Sequence, residues 1–157
     1  MNRPTVRTRA LAVAFVALSL TTAAARISTP EPVAKKPVIT VYKDPGCGCC
    51  KNWIEHLKKH GYRVDAKDTP NMTEIKRTLG VPEGLTACHT AMVNGYLIEG
   101  HVPAADIDRL LAQKPRIAGL AVPGMPMGSP GMEGGPAHSY PVLTFDKSGK
   151  TGVFASH

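Results

Sequence analysis

Aromatic residues are scarce in this 157-residue chain, at 5% of positions, so its core has to be filled by Val, Ile, Leu and Ala. Acidic residues are also few, 12 against 19 Lys and Arg. The basic residues are scattered, however, and do not interleave with aromatics, which excludes a nucleic-acid readout surface. The one apolar run near the start is much shorter than the roughly 20 residues that a spanning helix requires, so no stable membrane anchor is expected and an uncleaved anchor is the weaker reading. No cysteine follows the one apolar run near the start and no two arginines adjoin before it, so neither a lipoprotein nor a twin-arginine signal is present. Internal repeats are absent too.

What the N-terminus does have is the pattern of a Sec-type export signal. Arg3, Arg7 and Arg9 form a basic n-region, residues 10–20 an apolar h-region, and Ala23, Ala24 and Ala25 a small-residue cleavage site. Residues 1–25 are therefore expected to be a cleaved signal peptide, and the mature protein to be periplasmic. Cleavage removes three arginines and reduces the formal charge from +7 to +4, an ordinary basic surface. Residues 26–37, with three prolines and no apolar periodicity, are expected to be a flexible leader, and residues 38–157 a single domain.

Three of the four cysteines, Cys47, Cys49 and Cys50, fall within four consecutive positions. They follow a strand-like run at 38–42 and precede a helical pattern at 51–60 in which Trp53, Ile54 and Leu57 face inward. On such a strand-to-helix turn, free N–H groups, the helix dipole and the neighbouring Lys43 and Lys51 favour thiolate over thiol. A strand at 62–66 and a helix from the Asn71 cap to Leu79 follow, with Met72, Ile75 and Leu79 inward. The fourth cysteine, Cys88, then precedes a hairpin whose Asn94-Gly95 turn joins two apolar runs. Pro103 opens a third helix with Ile107, Leu110 and Leu111 inward. The order β-α-β-α-β-β-α is that of a thioredoxin-like α/β fold, a mixed sheet flanked by helices. Gly and Pro then dominate residues 119–136, which read as a long loop carrying Met125, Met127 and Met132, and a C-terminal hairpin closes the chain.

Three chemistries suit these cysteines. Cys47 and Cys50 form a Cys-x-x-Cys pair at a helix start, the arrangement of thiol oxidoreductases. Cys49, however, occupies the place where thioredoxins carry proline, and no proline stands at residues 87–90 where that fold usually has a cis-proline. A purely structural disulfide framework fits poorly, because staples gain most from long loops and three of these cysteines are almost adjacent. Metal binding is the third reading. Clustered thiolates from Cys47, Cys49, Cys50 and Cys88, with thioethers from Met125, Met127 and Met132 and an imidazole from His89, select Cu(I) over hard cations. Thiolate bridging leaves a multinuclear copper site open. Met72 and Met92 read as core, His101 as a loop or capping residue, and His56 and His60 as surface residues.

Four separated stretches carry a family resemblance: residues 41–53 around the cysteine turn, 87–91 with Cys88, 95–104 with Gly100-His101-Val102-Pro103, and 119–126 ending in Met125-Pro126. Together they resemble the CopG-type periplasmic metal-binding proteins of bacterial copper and silver resistance. The resemblance spans about residues 38–154. It implies a thioredoxin-like fold, copper held at Cys47, Cys49, Cys50 and Cys88, and the methionine loop close to that copper. Copper ions are then the expected ligand, and other periplasmic copper-handling proteins the expected partners. A redox enzyme, either a thiol-disulfide oxidoreductase or one that cycles its own copper, is the alternative from a different class.

Overall fold

A computed structural model describes residues 35–157. The expected signal peptide and the leader up to residue 34 lie outside the described residues. Seven strands form one mixed sheet in the order β2-β1-β3-β4-β5-β6-β7. In chain order the elements are β1 (Val38–Lys43), α1 (Gly48–Lys59), β2 (Arg63–Asp68), α2 (Met72–Leu79), β3 (His89–Val93), β4 (Tyr96–Gly100), α3 (Ala104–Gln113), β5 (Gly119–Val122), β6 (Pro141–Phe145) and β7 (Thr151–Ser156). β1 pairs β2 in parallel and β3 antiparallel, so the first strand lies inside the sheet. Among these residues no helix is long and apolar enough to cross a membrane.

Two apolar clusters pack on the sheet. Trp53, Ile54 and Leu57 of α1 and Ile107 and Leu110 of α3 pack with Ile39, Val41, Ala91, Ile98 and Leu120 in the larger cluster. A smaller cluster on Val81, Leu85, Leu97, Ala121 and Phe145 includes the half-buried Met92. Core-filling by aliphatic residues follows directly from the shortage of aromatics.

The α-β order read from the sequence is present, with one strand missed, an earlier start to α1 and a different buried residue in α2. The segment at 119–122 is not loop: Gly119, Leu120, Ala121 and Val122 form β5, buried along its length and paired in parallel with β4. A four-residue apolar run with no alternation carries no strand periodicity, which is how burial on both faces hides a strand. The first helix begins at Gly48 and takes Cys49 and Cys50 into its opening turn. In α2 the buried residue is Lys76, whereas Met72, Ile75 and Leu79 are only half-buried. The hairpin turn does have both residues at positive φ, Asn94 at 46° and Gly95 at 84°, as the Asn-Gly pair predicts.

Candidate metal centre

The site is built where β1 ends and α1 begins. Asp44 folds the turn by accepting the Gly46 N–H on its side chain at 2.7 Å and the Cys47 N–H on its carbonyl at 3.1 Å. Cys47 then occupies the N-cap of α1, and its sulfur accepts the Cys50 N–H at 3.3 Å. The sulfur thus takes the role that a hydroxyl or carboxylate usually plays at a helix start. Cys47 and Cys50 are joined in a disulfide, while Cys49 and Cys88 are free thiols. Cys49 Sγ lies 3.5 Å from Cys47 Sγ and 3.7 Å from Cys88 Sγ. All four sulfurs fall within 4.8 Å of one another, close enough for one metal centre.

Cys88 reaches this group from the start of β3, next to His89. Antiparallel pairing of Lys43 with His89 aligns that end of β3 with the turn after β1. Two imidazoles face the Cys88 sulfur, His89 Nδ1 at 3.2 Å and His101 Nε2 at 3.0 Å. His101 Nδ1 lies 2.7 Å from the Pro130 carbonyl, which only accepts. That bond fixes the proton on Nδ1 and leaves the Nε2 lone pair directed at Cys88. Cys88, His89 and His101 form a second group whose ligand atoms lie within 4.8 Å. The His89 ring packs on Trp53 at 4.3 Å between centroids, and its buried Nε2 has no hydrogen-bond partner.

Burial sets the protonation states. It lowers the pKa of both His89 and His101, so each presents a neutral ring with a free lone pair. Burial also pushes the Cys88 thiol up to about 12, reinforced by its neighbour Cys49 and opposed by Lys76. Cys88 is therefore a thiol at neutral pH, and a metal bound there displaces its proton. Lys43, expected to bias the thiols toward thiolate, is instead buried and paired with Asp68 at 2.6 Å.

The methionine segment reaches the site through its backbone. Pro130 holds His101, and Gly131 (φ 89°) sits so close to α1 that a Cβ there would meet Trp53 N at 2.8 Å and the Cys49 carbonyl at 2.9 Å. Met127 and Met132 are half-buried, and Met125 is exposed.

His101 is the site residue that sequence reasoning missed, having read it as a loop or capping residue. A signal was nonetheless present. The hairpin pairs Thr90 with Glu99 and Val93 with Tyr96, and continuing that register two steps past Thr90 sets Cys88 opposite His101. His56, expected at the surface, is half-buried and accepts the Ala104 N–H at the start of α3.

No curated protein sequence matches the chain. The family described as "Protein of unknown function, DUF411" matches residues 85–132, the span that holds Cys88, His89, His101 and the three loop methionines. Two solved structures match over nearly their whole length. One, titled copper resistance protein CopG form 2, is 44% identical, with a TM-score of 0.74, covering 78% of this chain and 98% of that one. The other, form 1 of the same name, matches at 44% identity and 0.73 with the same coverage. At that identity and coverage, the chain belongs to the CopG copper resistance protein family.

Proposed function

We propose that the chain is an exported, periplasmic Cu(I)-binding protein of bacterial copper and silver resistance. Copper is its cargo, held by Cys47, Cys49, Cys50 and Cys88 as thiolates. The observation that carries this reading is the convergence of four sulfurs within 4.8 Å from two separate chain segments. The donor set fits a soft monovalent ion: four sulfurs and two neutral imidazoles from His89 and His101, with Met125, Met127 and Met132 on the loop whose backbone packs against the site as the thioethers that would close it. Thiolate sulfur bridges metals, so a cluster this tight accommodates more than one Cu(I). With Cys47 and Cys50 in a disulfide, two of the four ligands are oxidised. Loading the full site therefore requires a dithiol or two monothiols to take up that bond as their own disulfide, returning two thiols to the protein.

Replacing all four cysteines by serine and titrating Cu(I) against a competing chelator tests the assignment. Tight binding is expected to vanish, and unchanged affinity overturns it.

The Cys47–Cys50 disulfide at the head of a helix also supports a second reading, a redox enzyme. Disulfide reductase activity in the metal-free protein marks a thiol-disulfide oxidoreductase. Turnover of Cu(I) to Cu(II) with an electron acceptor marks one that cycles its own copper.

A further inference from the structure

One carboxylate brackets Cys88. Glu99, fully buried on β4, accepts the Ala87 N–H on Oε1 at 2.6 Å and the Thr90 hydroxyl on Oε2 at 2.6 Å. Ala87 immediately precedes Cys88, and Thr90 stands two residues after it. The same carboxylate pairs with Lys76, the buried residue of α2, whose ammonium also donates to the Thr90 hydroxyl at 2.9 Å. Glu99 is thus satisfied on both oxygens, and Thr90 as both donor and acceptor. The backbone approach is equally close: a Cβ on Gly100 would meet Ala87 Cβ at 2.7 Å and the Val122 carbonyl at 2.6 Å, and Gly100 itself stands at a φ of 69°.

A buried ion pair is a weak source of stability, since apolar residues of the same volume often serve as well or better. Its value here lies in where its hydrogen bonds go. We infer that Glu99, with Lys76 as its counter-charge, is a positioning residue that fixes the Cys88 segment so that its sulfur faces both Cys49 and His101. The carboxylate takes up the backbone donor just before Cys88 and ties it to β4, from whose end His101 follows two residues after Glu99. Copper held jointly by both cysteine segments depends on this bracket, a consequence that rests on the proposed function. The bracket itself does not.

The test compares two charge-neutral pairs of substitutions in a chain whose only remaining thiol is Cys88, with Cys47, Cys49 and Cys50 changed to serine. Lys76→Met with Glu99→Gln keeps a carbonyl for the Ala87 N–H. Lys76→Met with Glu99→Leu removes it at similar volume. Both lack Lys76, so its effect on the thiol cancels. The readout is the rate of Cys88 alkylation by iodoacetamide at fixed pH, with near-UV circular dichroism to verify packing. The leucine pair is expected to react at least about tenfold faster than the glutamine pair, the factor that loss of even one hydrogen bond of about 1.4 kcal/mol gives. Thr90→Val, which removes the hydroxyl's bonds to Glu99 and Lys76 but keeps their ion pair and the Ala87 bond, gives a smaller increase and serves if the leucine pair fails to fold. Equal rates in the glutamine and leucine pairs overturn the inference, as does an unchanged rate in Thr90→Val when that variant stands in. In the four-cysteine chain, Cu(I) stoichiometry falls with the leucine pair and is kept with the glutamine pair. If alkylation responds and no form binds copper, the bracket stands and the copper assignment falls.

Discussion

Cys88 has more site partners than any other residue described: a thiol at 3.7 Å and two imidazoles at 3.2 and 3.0 Å. Its near neighbour His101 shows how a residue acquires a role from two bonds at once, one that fixes the proton on Nδ1 and one that aims Nε2. His101→Ala is expected to weaken Cu(I) binding by about 10- to 100-fold, the range found when a ligand or its support is lost, as read by chelator competition. Trp53 has a separate duty, donating its Nε1–H to the Val102 carbonyl at 2.9 Å. Trp53→Phe leaves that carbonyl unpartnered and is expected to cost about 1–3 kcal/mol in urea unfolding. At this scale the cysteines were legible because thiols so closely spaced have few structural uses. Lys76 was not, because a lysine on a helix reads as solvent-facing, and only the tertiary fold supplies Glu99 as its partner.

At the scale of elements, the start of α1 and the 129–132 segment behave as one unit, since Gly131 touches the backbone of both Cys49 and Trp53. Gly131→Ala combines a close contact with a side chain at positive φ and is expected to cost about 1–3 kcal/mol, measured by thermal unfolding. Helix α3 depends on α1 in a pH-dependent way. Its cap residue Pro103 has no side-chain acceptor to offer, and His56 Nε2 takes the Ala104 N–H at 3.1 Å. Only a neutral ring can accept that bond. Burial first, and His60 second, lower the His56 pKa, so the folded chain binds this proton less readily than the unfolded one. Its contribution is fully present above the ordinary histidine pKa of about 6.5 and is lost as pH falls below it toward the lower folded value. His56→Gln keeps an acceptor but does not titrate, so its urea midpoint is expected to fall less steeply than that of the unsubstituted chain between pH 7.5 and 5. Strand β5 was the element hidden from the sequence, lying at the head of a segment that composition marks as loop.

Across the whole molecule, the disulfide contributes little to holding the fold together. It closes a loop between residues only three apart, for which chain entropy gives at most about 2 kcal/mol. Reduction is therefore expected to lower the denaturation midpoint modestly and leave the far-UV circular dichroism unchanged. The order of elements was legible because amphipathic helices and an Asn-Gly hairpin leave distinct periods in the sequence. The meeting of the site's parts was not, because it depends on which strands lie side by side. The cysteine turn leaves the end of β1, Cys88 precedes the start of β3, and His101 follows the end of β4, three neighbours in one ladder. Paired strand ends part only when the sheet does, so copper bound between them as proposed would have no opening motion to wait for. It would leave by substitution, with an incoming donor arriving at the half-exposed residues Cys47, Cys49 and Cys88 before the last bond to the protein broke. In stopped-flow transfer to a chelator, the observed rate should then climb in proportion to chelator concentration, with no plateau set by the protein.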